Sequence, residues 1–200
     1  MIAVGVSFGG ILLGNYASDR NDHATNALIG GMLISPSFDP HVSNASLRKP
    51  GLNSILCEHL TDCLIETVKS EEHLFTQLTR IDLKQIYNCK TIWDFDKSYT
   101  CPAFGFPDID DYYKKTQLIG KLGQVTIPIL SLNAEDDIFT PLSSLPFEEA
   151  AQSDFVAILT TKYGGHMAFL EGFWPSSQDN FANKVFQQFV QTILKMDKIK

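Results

Sequence analysis

The stretch Ile2-Ala3-Val4-Gly5-Val6-Ser7-Phe8-Gly9-Gly10 decides how this chain folds. An apolar run reads as a strand that ends at the first glycines, and from Gly9 to Tyr16 the residues read as a helix starting directly behind Ser7. A chain that passes from strand to helix within a couple of residues holds the residue at the corner in a strained conformation with its side chain exposed. The pentapeptide Gly5-Val6-Ser7-Phe8-Gly9 fits the Gly-x-Ser-x-Gly pattern of a nucleophile elbow. Its flanking glycines are expected to let strand and helix approach without Cβ clashes. Two glycines and a serine at these offsets also arise by chance, so the context gives the pattern its weight. The helix amino terminus supplies backbone N–H groups and a partial positive charge, and the N–H of Phe8 is placed to stabilise an oxyanion.

A nucleophilic serine needs a base, because its hydroxyl is unreactive at neutral pH. His23, His41, His59 and His73 lie in polar or helical surroundings without a distinguishing neighbour. His166 follows Gly164-Gly165 just beyond the last apolar run. An isolated histidine is usually at the surface or satisfied in the core. The glycine pair and the strand-end position make this one the candidate base. The base in turn needs an acid to hold its tautomer and stabilise the imidazolium. Glu135, Asp136 and Asp137 compete for that role in Asn133-Ala134-Glu135-Asp136-Asp137-Ile138-Phe139-Thr140-Pro141. A solvated acidic loop accounts for any one of them. Asp137 adjoins the apolar Ile138-Phe139 and is expected to turn inward, with Asp136 as the second choice.

Outward from these motifs, short apolar runs alternate with helical patterns, which predicts a parallel sheet with helices on its faces. The runs are Ile2–Val6, Ala27–Ser35, Val125–Leu132 and Phe155–Thr160, and their continuous apolar character predicts strands buried on both faces. Phe181, Val185, Phe186, Phe189, Val190, Ile193 and Leu194 recur at three- and four-residue steps, one apolar stripe of a final helix. Between the second and third runs lies an insertion, roughly residues 41–116, with helical patterns at Asn53–Val68 and Glu71–Leu78 and an aromatic-rich loop at Trp93–Phe106. Such an insertion reads equally as a lid that selects substrate or as a helical elaboration covering a sheet edge.

Composition narrows the partners. Two hundred residues, 44% hydrophobic and 20% charged, suit one soluble globular domain. A formal charge of −7 with no basic patch speaks against nucleic acid. Cys57, Cys63, Cys89 and Cys101 lack metal-ligand spacing and read as buried free thiols, so no metal site is expected. No run reaches the roughly 20 apolar residues that span a bilayer, and there is no basic leader of a signal peptide. Met1 opens directly into a strand-like run, which raises the expectation of a segment upstream.

Serine, aspartate and histidine, in that order and at the ends of successive strands, form the chain order of α/β-hydrolases. The expected fold is therefore an α/β-hydrolase, comprising the carboxyl-terminal part of a mostly parallel sheet with a helical, lid-like insertion. The whole of 1–200 would form one domain lacking its amino-terminal part. Further stretches narrow the likeness: Gly-Val-Ser-Phe-Gly-Gly at the elbow, Thr91-Ile-Trp-Asp-Phe-Asp96, Phe104-Gly-Phe with Asp111-Tyr-Tyr113, Leu132-Asn-Ala-Glu-Asp-Asp137, and Tyr163-Gly-Gly-His-Met-Ala-Phe-Leu-Glu-Gly172 followed by Trp174-Pro175. Over nearly its whole length the chain resembles the abhydrolase domain-containing proteins one, two and three, a group that also holds yeast medium-chain ethyl-ester acyltransferases and a bacterial esterase. The closing stretch is most similar to the third, phospholipase-type member.

That resemblance implies ester hydrolysis on lipids: medium-chain phosphatidylcholines, monoacylglycerols or short acyl esters, with no organic cofactor. It places the relay acid on the second aspartate of the pair, Asp137, although the family often has proline where this chain has Ile138. Phe95-Asp96 matches a family motif without a catalytic role to assign. Members of the group usually carry a membrane anchor and several strands before the nucleophile, so a membrane surface is the implied location of a longer form. The loop expected to donate a second oxyanion N–H would lie in that upstream part, and losing one such donor typically costs about 10²–10³ in turnover. The first strand would also present an apolar edge prone to aggregation. Two other readings share these residues: acyl transfer to an alcohol, and an inactive lipid-binding or interaction product.

Overall fold

The computed structural model describes residues 1–19, 27–75, 80–172 and 180–197; His23, Leu78 and Trp174-Pro175 lie outside them. The described residues divide into two compact units, residues 1–43 with 116–200 and residues 44–115.

The first unit is built on four parallel strands in sequential order: β1 (Ile2–Val6), β2 (Gly30–Ile34), β3 (Ile129–Ala134) and β4 (Val156–Thr161). Register runs Ile2 to Gly30, Gly31 to Ile129 and Ile129 to Val156. Each strand falls on a predicted apolar run, shifted by a few residues at its ends. Burial on both faces holds for β2 and β3, which have neighbours on both sides. It fails for β1 and β4, which are edge strands among the described residues and leave Val4, Val6 and Leu159 exposed. An apolar run alone does not tell an edge strand from a central one, because pairing decides the exposure.

Alternation along the strands sends successive side chains to opposite faces. On one face Leu33, Ile129 and Val156 pack with Phe38, Leu118 and Ile127, and Leu13 of helix α1 (Phe8–Ala17) lies against them. On the other face Met32, Leu132 and Ala134 pack against Ala182 and Val185, with Phe186 and Phe189 alongside, all from the Phe181–Asp197 helix. That helix presents most of the stripe read from its sequence, while Leu194 at its far end is exposed.

The second unit is helical. Its longest helix, Leu52–Ser70, buries Cys57, Thr61, Ile65 and Val68, a three- and four-residue spacing that makes one inward stripe. Ile65 and Val68 join Ile86, Cys89 and Phe95 in one cluster, and Cys101, Ile109, Tyr112 and Tyr113 form another. Thr91 and Asp94 close a reciprocal capping box at the start of the Ile92–Phe95 helix. A π-helical turn over Asp96–Thr100 follows directly. Three of the four cysteines are buried free thiols as expected, but Cys63 is exposed on the outer side of its helix. Among the described residues, no helix is long and apolar enough to cross a membrane.

Candidate active site

The elbow forms where the apolar run meets α1. Ser7 sits at the corner with φ 52° and ψ −117°, a conformation that side chains rarely adopt. Three backbone bonds hold it there: its N–H donates to the Ile34 carbonyl at 2.8 Å, and its own carbonyl accepts from Gly10 N–H at 2.9 Å and from Ile11 N–H at 3.3 Å. The first bond ties the corner to the end of β2. The glycine requirement differs from the sequence reading. A Cβ on Gly5 would stand 2.3 Å from the Gly9 carbonyl oxygen, so position 5 must be glycine. A Cβ on Gly9 would meet nothing within 4 Å. The second tight position is Gly10, whose Cβ would lie 3.0 Å from Pro36 Cβ. Gly9 contributes its backbone to the crossing rather than the room for it.

His166 reaches the corner from the segment after β4. Its Nε2 lies 2.8 Å from Ser7 Oγ, and its Nδ1 lies 2.8 Å from Asp137 Oδ2. The structure thus brings Ser7, His166 and Asp137 into one continuous line of hydrogen bonds. The Asp137 carboxylate is fully buried, and His166 is mostly so. Burial alone would raise the pKa of Asp137. The hydrogen bond and charge of His166, with the Thr140 hydroxyl and Phe139 N–H, outweigh burial and hold the carboxyl below its ordinary range. An ionised carboxylate only accepts, so the His166 proton belongs on Nδ1, and Nε2 is left to accept from the Ser7 hydroxyl.

Three supporting contacts were not legible as such in the sequence. Thr140 Oγ1 donates to Asp137 Oδ2, the same oxygen that faces His166, and Phe139 N–H donates to Oδ1 at 2.8 Å. The Phe139 ring stacks on His166 with centroids 4.5 Å apart and planes 27° apart. Asp136, the second choice for the relay acid, is exposed and turns elsewhere: its Oδ1 accepts from Gly164 N–H at 3.0 Å and from Gly165 N–H at 2.8 Å. Phe8 opens α1, and the amide of a first helical residue has no acceptor within its own helix. Of the remaining histidines, His41, His59 and His73 are exposed.

A parallel sheet that presents Ser7, Asp137 and His166 beyond the carboxyl ends of β1, β3 and β4 has the architecture of an α/β-hydrolase. An α/β-hydrolase from Bacillus anthracis superposes on 96% of the chain and 66% of its own with a TM-score of 0.51 at 15% identity, which speaks to the fold. A mouse protein, phospholipase ABHD3, is 40% identical over 195 residues, 97% of this chain and 46% of its own. Protein abhd-3.2 of Caenorhabditis elegans is 32% identical over 177 residues, 88% of this chain and 46% of its own. No family model matches the chain. The chain belongs to the abhydrolase domain-containing family of α/β-hydrolases. It spans about half the length of the curated relatives it matches.

Proposed function

We propose that the chain carries the catalytic machinery of a serine esterase acting on lipid esters, with Ser7 as nucleophile, His166 as base and Asp137 as the acid that orients it. The observation that carries this reading is the unbroken relay from Ser7 Oγ through His166 to Asp137, 2.8 Å at each step. Ser7 Oγ attacks the ester carbonyl while His166 Nε2 takes its proton. Asp137 stabilises the imidazolium without itself taking the proton. The negative charge that develops on the carbonyl oxygen lies against the Phe8 N–H at the amino terminus of α1. His166 then returns the proton to the departing alcohol, leaving an acyl group on Ser7. Water, deprotonated by His166, releases the carboxylic acid and restores the hydroxyl.

Relatives named as phospholipases motivate phospholipids as the substrate class, and the family resemblance adds monoacylglycerols. Such substrates reside in membranes, so a membrane surface is the inferred place of action, and the acidic charge of the chain argues against nucleic acid. The test presents medium-chain phosphatidylcholine and monoacylglycerol in mixed micelles and follows the release of free acid. Wild type should release acid, and Ser7→Ala and His166→Ala should each abolish it. Acid release that survives Ser7→Ala would overturn the assignment of the nucleophile. With ethanol added, accumulation of ethyl ester in place of acid would identify acyl transfer as the activity.

A further inference from the structure

We infer that Asp136 is a positioning residue: its carboxylate clamps the Gly164-Gly165 turn and thereby sets where His166 stands relative to Ser7. This inference rests on the esterase reading above. The second aspartate of the pair faces His166 directly, while the first faces the backbone of the segment that carries it.

The geometry is specific. One oxygen, Asp136 Oδ1, accepts two successive amides, Gly164 N–H and Gly165 N–H. Gly165 lies in the left-handed region at φ 58°, and a Cβ there would meet nothing within 4 Å, so the packing around it does not hold the turn. Gly164 has the opposite surroundings: a Cβ would stand 2.7 Å from the Phe169 ring and 3.0 Å from Ala134 Cβ. On the far side of His166, Phe169 N–H donates to the Gly164 carbonyl at 3.0 Å. His166 therefore sits in a small loop closed at one end by Phe169 and tied at its entry by Asp136. The acid loop is itself anchored, since Glu135 N–H donates to Thr161 O at 2.8 Å at the end of β4. The adjacent carboxylates of one loop thus fix both the orientation of the imidazole, through Asp137, and the position of its backbone, through Asp136. Displacing a reacting group by about 1 Å is enough to cost roughly 10² in rate.

The experiment compares Asp136→Ala, Asp136→Asn and wild type by the rate of Ser7 labelling with a fluorophosphonate, by kcat and KM on a soluble ester, and by hydrogen exchange at Gly164 and Gly165. Asp136→Ala should label about 10–100-fold more slowly, with the loss in kcat rather than KM and an unchanged melting temperature. Protection at the two glycine amides should disappear. Asp136→Asn keeps an oxygen acceptor and should recover labelling to within about threefold of wild type. If Asp136→Ala unfolds, Asp136→Ser, polar but too short to reach both amides, carries the same expectation. Wild-type labelling rates in Asp136→Ala would overturn the inference, as would a folded Asp136→Asn that is as slow as Asp136→Ala. Unprotected amides in wild type would overturn it whatever the labelling does. Labelling that persists in Ser7→Ala would instead overturn the esterase reading, with the exchange result still judging the clamp.

Discussion

At the scale of single residues, the site depends on close approaches that particular side chains would break. Gly5 lies against the Gly9 carbonyl, so Gly5→Ala forces strand and helix apart and should destabilise the chain by several kcal/mol, seen as insolubility or a large fall in melting temperature. Gly9→Ala has open space and replaces a helical glycine, so its melting temperature should hold or rise, a gain of about 0.5–1 kcal/mol. The reverse ranking would contradict this account of the elbow. Thr140 bears on the acid. Thr140→Val removes a donor from a buried carboxylate, a loss of roughly 1–3 kcal/mol, and should lower both the melting temperature and kcat. Asp137→Asn should leave the fold in place and reduce kcat by about 10⁴, because the imidazole loses its tautomer and its partner.

At the scale of elements, the π-helical turn of the second unit half-buries Asp96, whose Oδ1 accepts from Thr100 at 2.7 Å and whose Oδ2 accepts from Tyr113 at 3.3 Å. Burial pushes this carboxyl up to about 6, against the lowering effect of those two hydroxyls. A carboxyl raised in the folded state binds its proton more tightly there than in the unfolded chain. Stability therefore falls as pH rises from about 3.8 to about 6, and the full cost is present at neutral pH. At about 1.4 kcal/mol per unit, that cost is on the order of 2–3 kcal/mol. Asp96→Asn should accordingly melt higher than wild type at pH 7.5 and lose most of that advantage at pH 4. A variant less stable at pH 7.5 would show that the ionised carboxylate is a net stabiliser of the turn. The sequence marks this aspartate as part of a family motif, but not its partial burial or its bond from Tyr113, 17 residues further along the chain.

At the scale of the molecule, the legible features were those written locally. Ser7, Asp137 and His166 each stand just past an apolar run with glycine or acidic neighbours, so strand ends and chain order were enough to propose them. Asp136 was visible only as a competitor for Asp137. Its partners are backbone amides 28 and 29 residues away, and an amide leaves no mark in a sequence. The exposure of β4 was equally hidden, because a strand's neighbours are set by the sheet and not by its own residues, whereas the open edge of β1 was expected from the family resemblance. That exposure has a consequence. Met1, Val4 and Val6 leave an apolar surface along β1, an edge strand among the described residues, so the chain should self-associate with rising concentration in sedimentation velocity, and Val4→Lys should reduce it. The central claim is that one serine, activated by one histidine, carries the chemistry. It is tested most directly by treating the folded chain with a fluorophosphonate and mapping the adduct by peptide mass. A single adduct on Ser7, lost on heat denaturation and in His166→Ala, is the predicted result. No adduct on the folded chain, or one on any other residue, would contradict it.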